Sequence, residues 1–222
     1  MRTRIKFCGL VRPDDVDTAV ALGVDAVGFV FYAKSPRYVT AAAARELRQR
    51  LPSWVSAVGL VVNENADAVH RLRSEVGLDV VQFHGDEPPA LCIDAAGDAP
   101  WWRAVRMRAP GDLLESSQFY FEAEALLVDS FHSGYGGSGQ SFDWSWLPAE
   151  RAMPLILSGG LDPCSVGLAI DQVAPSAVDV SSGIQGADPR TKDRELMERF
   201  AAAVMAADAR RAIPLHPTPD TP

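Results

Sequence analysis

Two side chains that can transfer protons each stand at the end of a short segment typical of a β-strand. Cys8 follows the segment RIKF, and Asp129 follows ALLV. A thiolate can remove a proton from carbon, and a protonated carboxyl group can donate one. A carboxylate that ends an apolar strand is costly unless it is paired or protonated, which favours a chemical role for Asp129. The alternatives are a small core thiol at Cys8 and a turn cap at Asp129.

Glycine and serine cluster in two later segments, SGGL at 158–161 and SSGI at 181–184. Small residues let backbone N–H groups approach an anion closely, so the segments are candidates for phosphate binding, with ordinary tight turns as the alternative. The candidate residues are Gly159, Gly160, Ser181, Ser182 and Gly183. Arg37 and His84, in the segments KSPRY and HGD, are further candidates, although a solvated loop charge and a hydrogen-bonded loop histidine are the simpler interpretations.

Short β-branched segments alternate with helical patterns along the chain. Strands are predicted at 4–8, 25–31, 54–62, 78–83, 101–107, 125–129, 154–158 and 177–181. Helices are predicted at 13–22, 40–51, 65–76, 87–96, 111–121, 143–150, 162–173 and 191–209, the one at 143–150 being short or irregular. Thr40 is a predicted N-cap, and Gly23 and Gly77 are predicted helix stops. Such alternation predicts right-handed βαβ units and a parallel sheet.

The number of repeats favours an α/β fold with one domain, a (β/α)8 TIM barrel whose eight parallel strands form a closed sheet, over an open doubly wound sheet. The catalytic domain is predicted to cover 1–213, and the Pro-rich tail at 214–222 is predicted to be disordered. Barrel enzymes place their chemistry at the carboxyl ends of the strands and often bind phosphate in the loops after strands seven and eight. The two glycine segments occupy those loops.

Side chains alternate between the two faces of a strand. Lys6 therefore shares a face with Cys8, and Leu127 shares one with Asp129, whereas Ile5 and Phe7 should face the helices. This places Cys8 inside the mouth of the barrel. A lysine on the same face predicts stabilisation of the Cys8 thiolate.

Composition excludes several classes of protein. Among the 222 residues, 47% are hydrophobic and 23% charged, and the net charge is −8 without a basic cluster, which disfavours nucleic-acid binding. The chain has no apolar run long enough for a membrane span and no signal-peptide pattern, so a cytoplasmic protein is expected. Its three cysteines lack metal-ligand spacing and are too few and too scattered for a disulfide framework. A monomer or a homodimer is expected.

Several motifs together resemble the phosphoribosylanthranilate isomerase family of tryptophan biosynthesis. They occur in family order, from about residue 4 to residue 205. The matching segments are KFCGL (6–10), GFVFYAKSPRYV (28–39), VGLVVN (58–63), VQFHGDE (81–87), LLVDS (126–130), GGSGQSFDW (136–144), LSGGL (157–161) and VDVSSGIQ (178–185). The set is specific although no single segment is.

The resemblance implies an Amadori rearrangement of N-(5-phosphoribosyl)anthranilate to 1-(2-carboxyphenylamino)-1-deoxyribulose 5-phosphate. It implies Cys8 as general base and Asp129 as general acid, contacts from Arg37 and His84 to the anthranilate end, and phosphate binding after strands seven and eight. Asp179, in the segment VDVSSGIQ, is a further candidate for substrate binding. Asp129 can donate its proton only if burial keeps it protonated near neutral pH. No metal or redox cofactor is expected.

One position departs from the family pattern, because Gln140 stands where many relatives have lysine after GG[ST]G. A loop with one positive charge fewer should hold an anionic substrate less tightly. The nearest alternative function is a barrel isomerase of histidine synthesis, which uses two catalytic aspartates, whereas the first strand here ends in Cys8. The other is a phosphate-binding barrel without catalysis, which retention of both Cys8 and Asp129 disfavours.

Overall fold

The computed structural model describes residues 2–130 and 142–212, and within them the chain forms a closed barrel of eight parallel strands. The strands are β1 (Arg4–Cys8), β2 (Ala26–Val30), β3 (Ser56–Val61), β4 (Val80–Phe83), β5 (Trp101–Met107), β6 (Ala125–Ser130), β7 (Leu155–Leu157) and β8 (Ala177–Val180). Each strand pairs with the next, and β8 returns to β1. The predicted (β/α)8 barrel is confirmed.

The helices connect successive strands outside the barrel. They are α1 (Pro13–Ala21), α2 (Ala41–Arg48), α3 (Ala66–Val76), α4 (Pro89–Ala96), α5 (Asp112–Phe119), α6 (Val166–Val173) and α7 (Arg194–Ala212). The Thr40 hydroxyl accepts a hydrogen bond from the Ala43 amide at 3.2 Å, which confirms this residue as the N-cap of α2. Helix α3 ends at Gly77, whose φ of 76° is accessible to glycine at little cost.

The helix predicted at 143–150 differs from the structure. Between β6 and β7, the described residues form only a 3₁₀ turn, Trp144–Trp146. Leu147 is extended, with φ −89° and ψ 118°, because a residue that precedes a proline, here Pro148, is sterically driven out of the helical region. The last helix also begins later than predicted, since Gln185 and Lys192 pair in an isolated antiparallel bridge before Arg194.

Two layers of apolar side chains hold the barrel together. Outside the sheet, Phe7 packs edge-on against Phe200 of α7, with ring centroids 6.0 Å apart. Inside the barrel, the lower layers are formed by Ala26, Val58 and Val80 and by Ala104, Ala125, Leu127, Ile156 and Ala177, with Trp102 between the two groups. Ile5 and Phe7 belong to the outer cluster under the helices, as the alternation along the first strand predicted, and Lys6 and Cys8 lie on the opposite face.

No helix among the described residues is long and apolar enough to cross a membrane. The predicted Pro-rich tail at 214–222 and the position of Gln140 lie outside the described ranges. The predictions for them stay predictions.

Candidate active site

A cleft opens at the carboxyl ends of the strands. It is lined by every residue predicted to be catalytic, substrate-binding or phosphate-binding except Gly183, namely Cys8, Arg37, His84, Asp129, Gly159, Gly160, Asp179, Ser181 and Ser182. Gly183 lies behind the cleft against the loop after β7, where a Cβ atom would collide with the carbonyl oxygen of Leu161. The fold thus gathers the predicted residues in one place, while the role of each stays a prediction.

Closure of the barrel creates a buried ion pair beside the predicted base. The register of β1 with β8 places Lys6 opposite Asp179. Lys6 Nζ donates to Asp179 Oδ1 at 2.9 Å, and both side chains are almost fully buried. Burial alone would lower the pKa of Lys6, but the charges of Asp179 and Cys8 outweigh it and raise that pKa. Lys6 is therefore a permanent cation at the floor of the cleft.

The thiol of Cys8 is buried among charged groups. Burial raises its pKa, Lys6 and Lys192 oppose this increase, and Asp179 adds to it. The net direction is upward, so the thiol form predominates in the free protein. The predicted influence of Lys6 on the thiolate thus has the expected sign, although it does not overcome the desolvation of the thiolate.

A glycine on the neighbouring strand makes room for the thiol. Gly28 of β2 lies opposite Cys8 in the parallel register. A Cβ atom at Gly28 would lie 2.8 Å from Cys8 Sγ and 3.2 Å from Lys6 Cε. Because such distances are shorter than van der Waals contact, only glycine lets both side chains lie across β2.

The predicted acid, Asp129, is held at the end of β6. The Ser130 amide donates to Asp129 Oδ1 at 2.8 Å, and His84 Nε2 lies 3.5 Å from Asp129 Oδ2. Gly159 has a φ of +87°, and a Cβ atom there would lie 2.5 Å from Ser130 Oγ and 3.0 Å from Asp129 Oδ1. The first glycine after β7 therefore makes room for the Asp129 carboxyl group.

The segment that carries His84 is fixed from behind by a second buried ion pair. Arg103 of β5 donates to Glu87 Oε2 at 2.7 Å and to the Gly85 carbonyl at 2.9 Å. Glu87 also accepts from the amides of Asn63, at 2.7 Å, and Gly85, at 2.9 Å. Since these contacts join the ends of β3, β4 and β5, they set the position of His84.

Behind the predicted phosphate segment lies a lysine that the sequence analysis did not identify. Lys192 Nζ donates to the Ser181 carbonyl at 2.8 Å, and Ser181 Oγ donates to the Cys8 carbonyl at 3.0 Å. The Lys192 side chain has no carboxylate within ion-pair distance among the described residues. Burial, assisted by the charge of Arg37, lowers the pKa of Lys192 to about 7. A buried ammonium without a counter-ion is costly and suits a cleft that takes up an anion.

Arg37 crosses the top of the cleft on the β1 side. It donates to the side-chain oxygen of Gln185, and its buried Nε has no hydrogen-bond partner among the described residues. Its aliphatic part packs over Gly9, where a Cβ atom would lie 2.5 Å from Arg37 Cδ. Burial lowers the pKa of Arg37, although a guanidinium remains charged at physiological pH. The guanidinium is thus a positive charge placed beside a cleft.

No group of three or more His, Cys, Asp and Glu side chains in the described part of the chain could hold a metal ion. The chemistry available from the side chains is proton transfer between a thiol, a carboxyl group and a bound molecule.

The family comparison decides the class of protein. The model of the N-(5'-phosphoribosyl)anthranilate isomerase family matches residues 5–203. The chain belongs to this family. The family resemblance predicted from the sequence motifs is therefore confirmed.

Relatives and solved structures agree with this assignment. N-(5'-phosphoribosyl)anthranilate isomerase of Leptothrix cholodnii is 50% identical over 209 residues, covering 94% of each chain. The crystal structure of phosphoribosyl anthranilate isomerase from Thermotoga maritima is similar with a TM-score of 0.85 and 42% identity, covering 92% of this chain and 99% of that one. A second structure, in complex with reduced 1-(o-carboxyphenylamino)-1-deoxyribulose 5-phosphate, has a TM-score of 0.82 and 38% identity, with the same coverage.

Several residues of this isomerase-family site were missed or only partly anticipated. Gln82 in the apolar strand VVQF and Gly28 in a strand interior carry weak signals, because an isolated amide or glycine inside a strand indicates a special contact. Lys192 had no such signal in the sequence, since it lies within the helix predicted at 191–209. Asp179 was anticipated as a substrate contact, but its Oδ1 accepts from Lys6, while its Oδ2 lies 3.4 Å from Ser158 Oγ.

Proposed function

We propose that the protein converts N-(5'-phosphoribosyl)anthranilate to 1-(2-carboxyphenylamino)-1-deoxyribulose 5-phosphate in L-tryptophan biosynthesis, an intramolecular aldose–ketose isomerisation. Family membership supports this, as does the complex of a relative with the reduced product. The observation that carries the proposal is the presence of Cys8 and Asp129 in one cleft, with the glycine and serine segments after β7 and β8 beside them. A thiol, a carboxyl group and two loops suited to binding an anion therefore line the same cleft.

In the first step, the carboxyl group of Asp129 donates its proton to the furanose ring oxygen while the C1–O bond breaks. The nitrogen lone pair forms the C1=N bond, which gives an iminium. The developing alcohol thus leaves as a neutral group, and Asp129 becomes a carboxylate. Burial of Asp129 at 7% exposure suits this role, because an acid works best when water does not compete for its proton.

In the second step, the thiolate of Cys8 removes the proton from C2, and the electron pair forms the C1=C2 bond of an enolamine. The enolamine tautomerises to the ketone product. The iminium acidifies C2, so a thiol of raised pKa is a competent base once it has ionised beside Lys6. Only protons move, so the reaction requires no metal or redox cofactor.

The remaining residues bind and orient the substrate. Gly159 and Gly160 have positive φ values of 87° and 69° in the turn after β7, and Ser181, Ser182 and Gly183 follow β8. We expect the phosphate to bind between these two loops. Arg37 and His84, which line the cleft, are expected to contact the anthranilate end, and Asp179 Oδ2 can accept from a sugar hydroxyl.

An assay with substrate generated in situ tests the function, because its fluorescence disappears as it isomerises. Cys8→Ser and Asp129→Asn should each lower kcat by about 10²–10⁴-fold, the usual contribution of a general acid or base. Cys164→Ser and Asp98→Asn, at exposed positions, are matched controls that should keep the wild-type rate.

An inactive wild type would refute the function, and full activity of Cys8→Ser would refute only the assigned base. The same assay with the aminosugar of histidine synthesis tests a second substrate. A cytoplasmic location and a monomeric or homodimeric state stay predictions.

A further inference from the structure

The strand that leads to His84 carries a buried amide that the proposed reaction does not use. Gln82 is fully buried, and the alternation of β4 stacks Val80, Gln82 and His84 on the interior face of the barrel. The outward residues of this strand, Val81 and Phe83, belong to the apolar layer under the helices. Burying an amide in such a place is unfavourable unless its hydrogen bonds serve a purpose.

The hydrogen bond of Gln82 determines which nitrogen of His84 carries the proton. Gln82 Nε2 lies 3.0 Å from His84 Nδ1. An amide nitrogen can only donate, so with the amide in this orientation Nδ1 is the acceptor, and the proton of a neutral imidazole is then on Nε2. The other end of the amide, Gln82 Oε1, has no partner among the described residues, so the contact with His84 is the only one that the structure assigns to this side chain.

The protonated nitrogen faces the predicted acid. His84 Nε2 lies 3.5 Å from Asp129 Oδ2, while Asp129 Oδ1 already accepts from the Ser130 amide. A small rotation of the ring would complete a hydrogen bond to Oδ2. The carboxyl group would then accept one hydrogen bond at each oxygen.

We propose that Gln82 is a positioning residue that keeps His84 in the Nε2-protonated form, so that His84 donates to the Asp129 carboxylate as the acid loses its proton. The inference rests on the proposed function and deepens it. The proton passes from Asp129 to the ring oxygen of the substrate, and His84 retains its own proton throughout. His84 thereby acts on the acid as well as lying beside the anthranilate end.

The expected benefit lies in the transition state. A carboxylate accepts a hydrogen bond more strongly than a protonated carboxyl group does. The contact from His84 therefore strengthens as negative charge develops on Asp129, which raises kcat with little change in KM. In the opposite tautomer, Nε2 would accept a hydrogen bond from protonated Asp129, and His84 would compete with the ring oxygen for the proton.

Side-chain nitrogen NMR of protein labelled with ¹⁵N-histidine tests the tautomer directly. The chain contains four histidines, and the His84 signals are those lost in His84→Gln. Wild type should show a protonated Nε2 and an unprotonated Nδ1. Gln82→Met, which keeps the shape but cannot hydrogen-bond, should give a mixture of tautomers. Gln82→Glu, whose carboxylate only accepts, should move the proton to Nδ1.

Kinetics of the same variants separate positioning from binding. We expect kcat to fall about 10-fold in Gln82→Met and about 100-fold in Gln82→Glu, with KM within about twofold of wild type. Val80→Ala is the matched control, because it alters the same face of β4 one layer below without touching the hydrogen bond, and it should retain the wild-type tautomer and kcat.

A wild type with protonated Nδ1 would overturn the proposal, as would a Gln82→Met variant with unchanged tautomer and kcat. A change in KM alone would also contradict the proposal, because it would mean that Gln82 and His84 only bind the substrate. If wild type were inactive in the isomerase assay, the proposed function would fail, but the NMR experiment would still report whether Gln82 sets the tautomer. The two failures are therefore distinguishable.

Discussion

The two sides of the barrel mouth each contain a buried ion pair, but they place it differently. On the β1–β8 side, Lys6 and Asp179 pair inside the barrel, with side-chain exposures of 2% and 7%. On the β4–β5 side, Glu87 and Arg103 pair outside the sheet, where the Arg103 guanidinium also lies 4.7 Å from the centre of the Tyr120 ring. The first pair borders the cleft, and the second fixes a loop from behind.

The difference follows from what each side must do. In the proposed reaction, Cys8 ionises in a buried place, and only a charge within a few ångströms can offset the loss of solvation. In the proposed reaction, Asp129 begins as a carboxyl group and becomes a carboxylate, and it lies against the Ser130 amide and His84. Arg106, its partner in the register of β5 with β6, forms an ion pair with Asp86. The ion pair on the β1–β8 side thus changes the pKa of a neighbouring thiol, whereas the one on the β4–β5 side fixes the position of a loop.

Removal of the cation on the β1–β8 side should have the largest effect. Lys6→Met leaves Asp179 buried without its partner, so the free energy of unfolding should fall by about 3–5 kcal/mol. The pKa of the Cys8 thiol, already raised by burial, should rise further because Lys6 opposes that increase. Urea denaturation measures the first effect, and the pH dependence of thiol alkylation, in a Cys164→Ser background, measures the second.

The control for this change is Lys34→Met, at an exposed position in the loop after β2. It should alter neither quantity. A Lys6→Met variant with an unchanged thiol pKa would show that the ion pair is structural on both sides, and the contrast between the two sides would disappear.

Crowding the thiol without altering any charge should have the next largest effect. Gly28→Ala places a methyl group 2.8 Å from Cys8 Sγ. We expect kcat to fall about 100-fold, as when a reacting group is displaced by about 1 Å, and the free energy of unfolding to fall by about 1–3 kcal/mol. Gly111→Ala, where a Cβ atom meets nothing within 4 Å, is the control. Equal activity of Gly28→Ala and Gly111→Ala would mean that the position of the Cys8 thiol across β2 is not required for catalysis.

The residues that could be located from the sequence are those whose position depends on local patterns along one strand. Cys8 and Asp129 could be located because each ends a strand, and alternation along one strand is enough to assign a face. The ion pair between Lys6 and Asp179 could not be predicted, because it depends on the register of the first strand against the last, which no local pattern encodes. Lys192 was missed because its burial arises from the bridge to Gln185.

Disruption of the ion pair on the β4–β5 side should affect structure and leave the thiol unchanged. Glu87→Gln removes the charge that Arg103 contacts, which should lower the free energy of unfolding by about 1.5–3 kcal/mol, the range for hydrogen bonds to charged groups. The amide of Gly85, which donates to Glu87 at 2.9 Å, should exchange its hydrogen faster.

The pKa of the Cys8 thiol should stay at its wild-type value in this variant. Hydrogen exchange and the thiol titration together check the prediction. A thiol pKa that moves as far as in Lys6→Met would show that charge acts across the whole mouth, contrary to the proposed division.

The smallest effect concerns Lys192 and appears only as a pH dependence. In the folded protein, burial lowers the pKa of this lysine to about 7, from an ordinary value of 10.5. Between these values the unfolded chain binds a proton that the folded chain does not, so stability rises with pH, by at most about 1.4 kcal/mol per pH unit. Below about pH 7, both states are protonated and this contribution is constant.

The free energy of unfolding of wild type, minus that of Lys192→Met, should therefore be flat below about pH 7 and increase from there to pH 9. Cys8 acts in the opposite direction only above its ordinary pKa of 9.0, because its folded pKa is raised, so it adds little to the difference below pH 9. Urea denaturation at several pH values measures the curve. If the curves of wild type and Lys192→Met were parallel, Lys192 would be charged in the folded state at all these pH values. The β1–β8 side would then carry more positive charge than we infer.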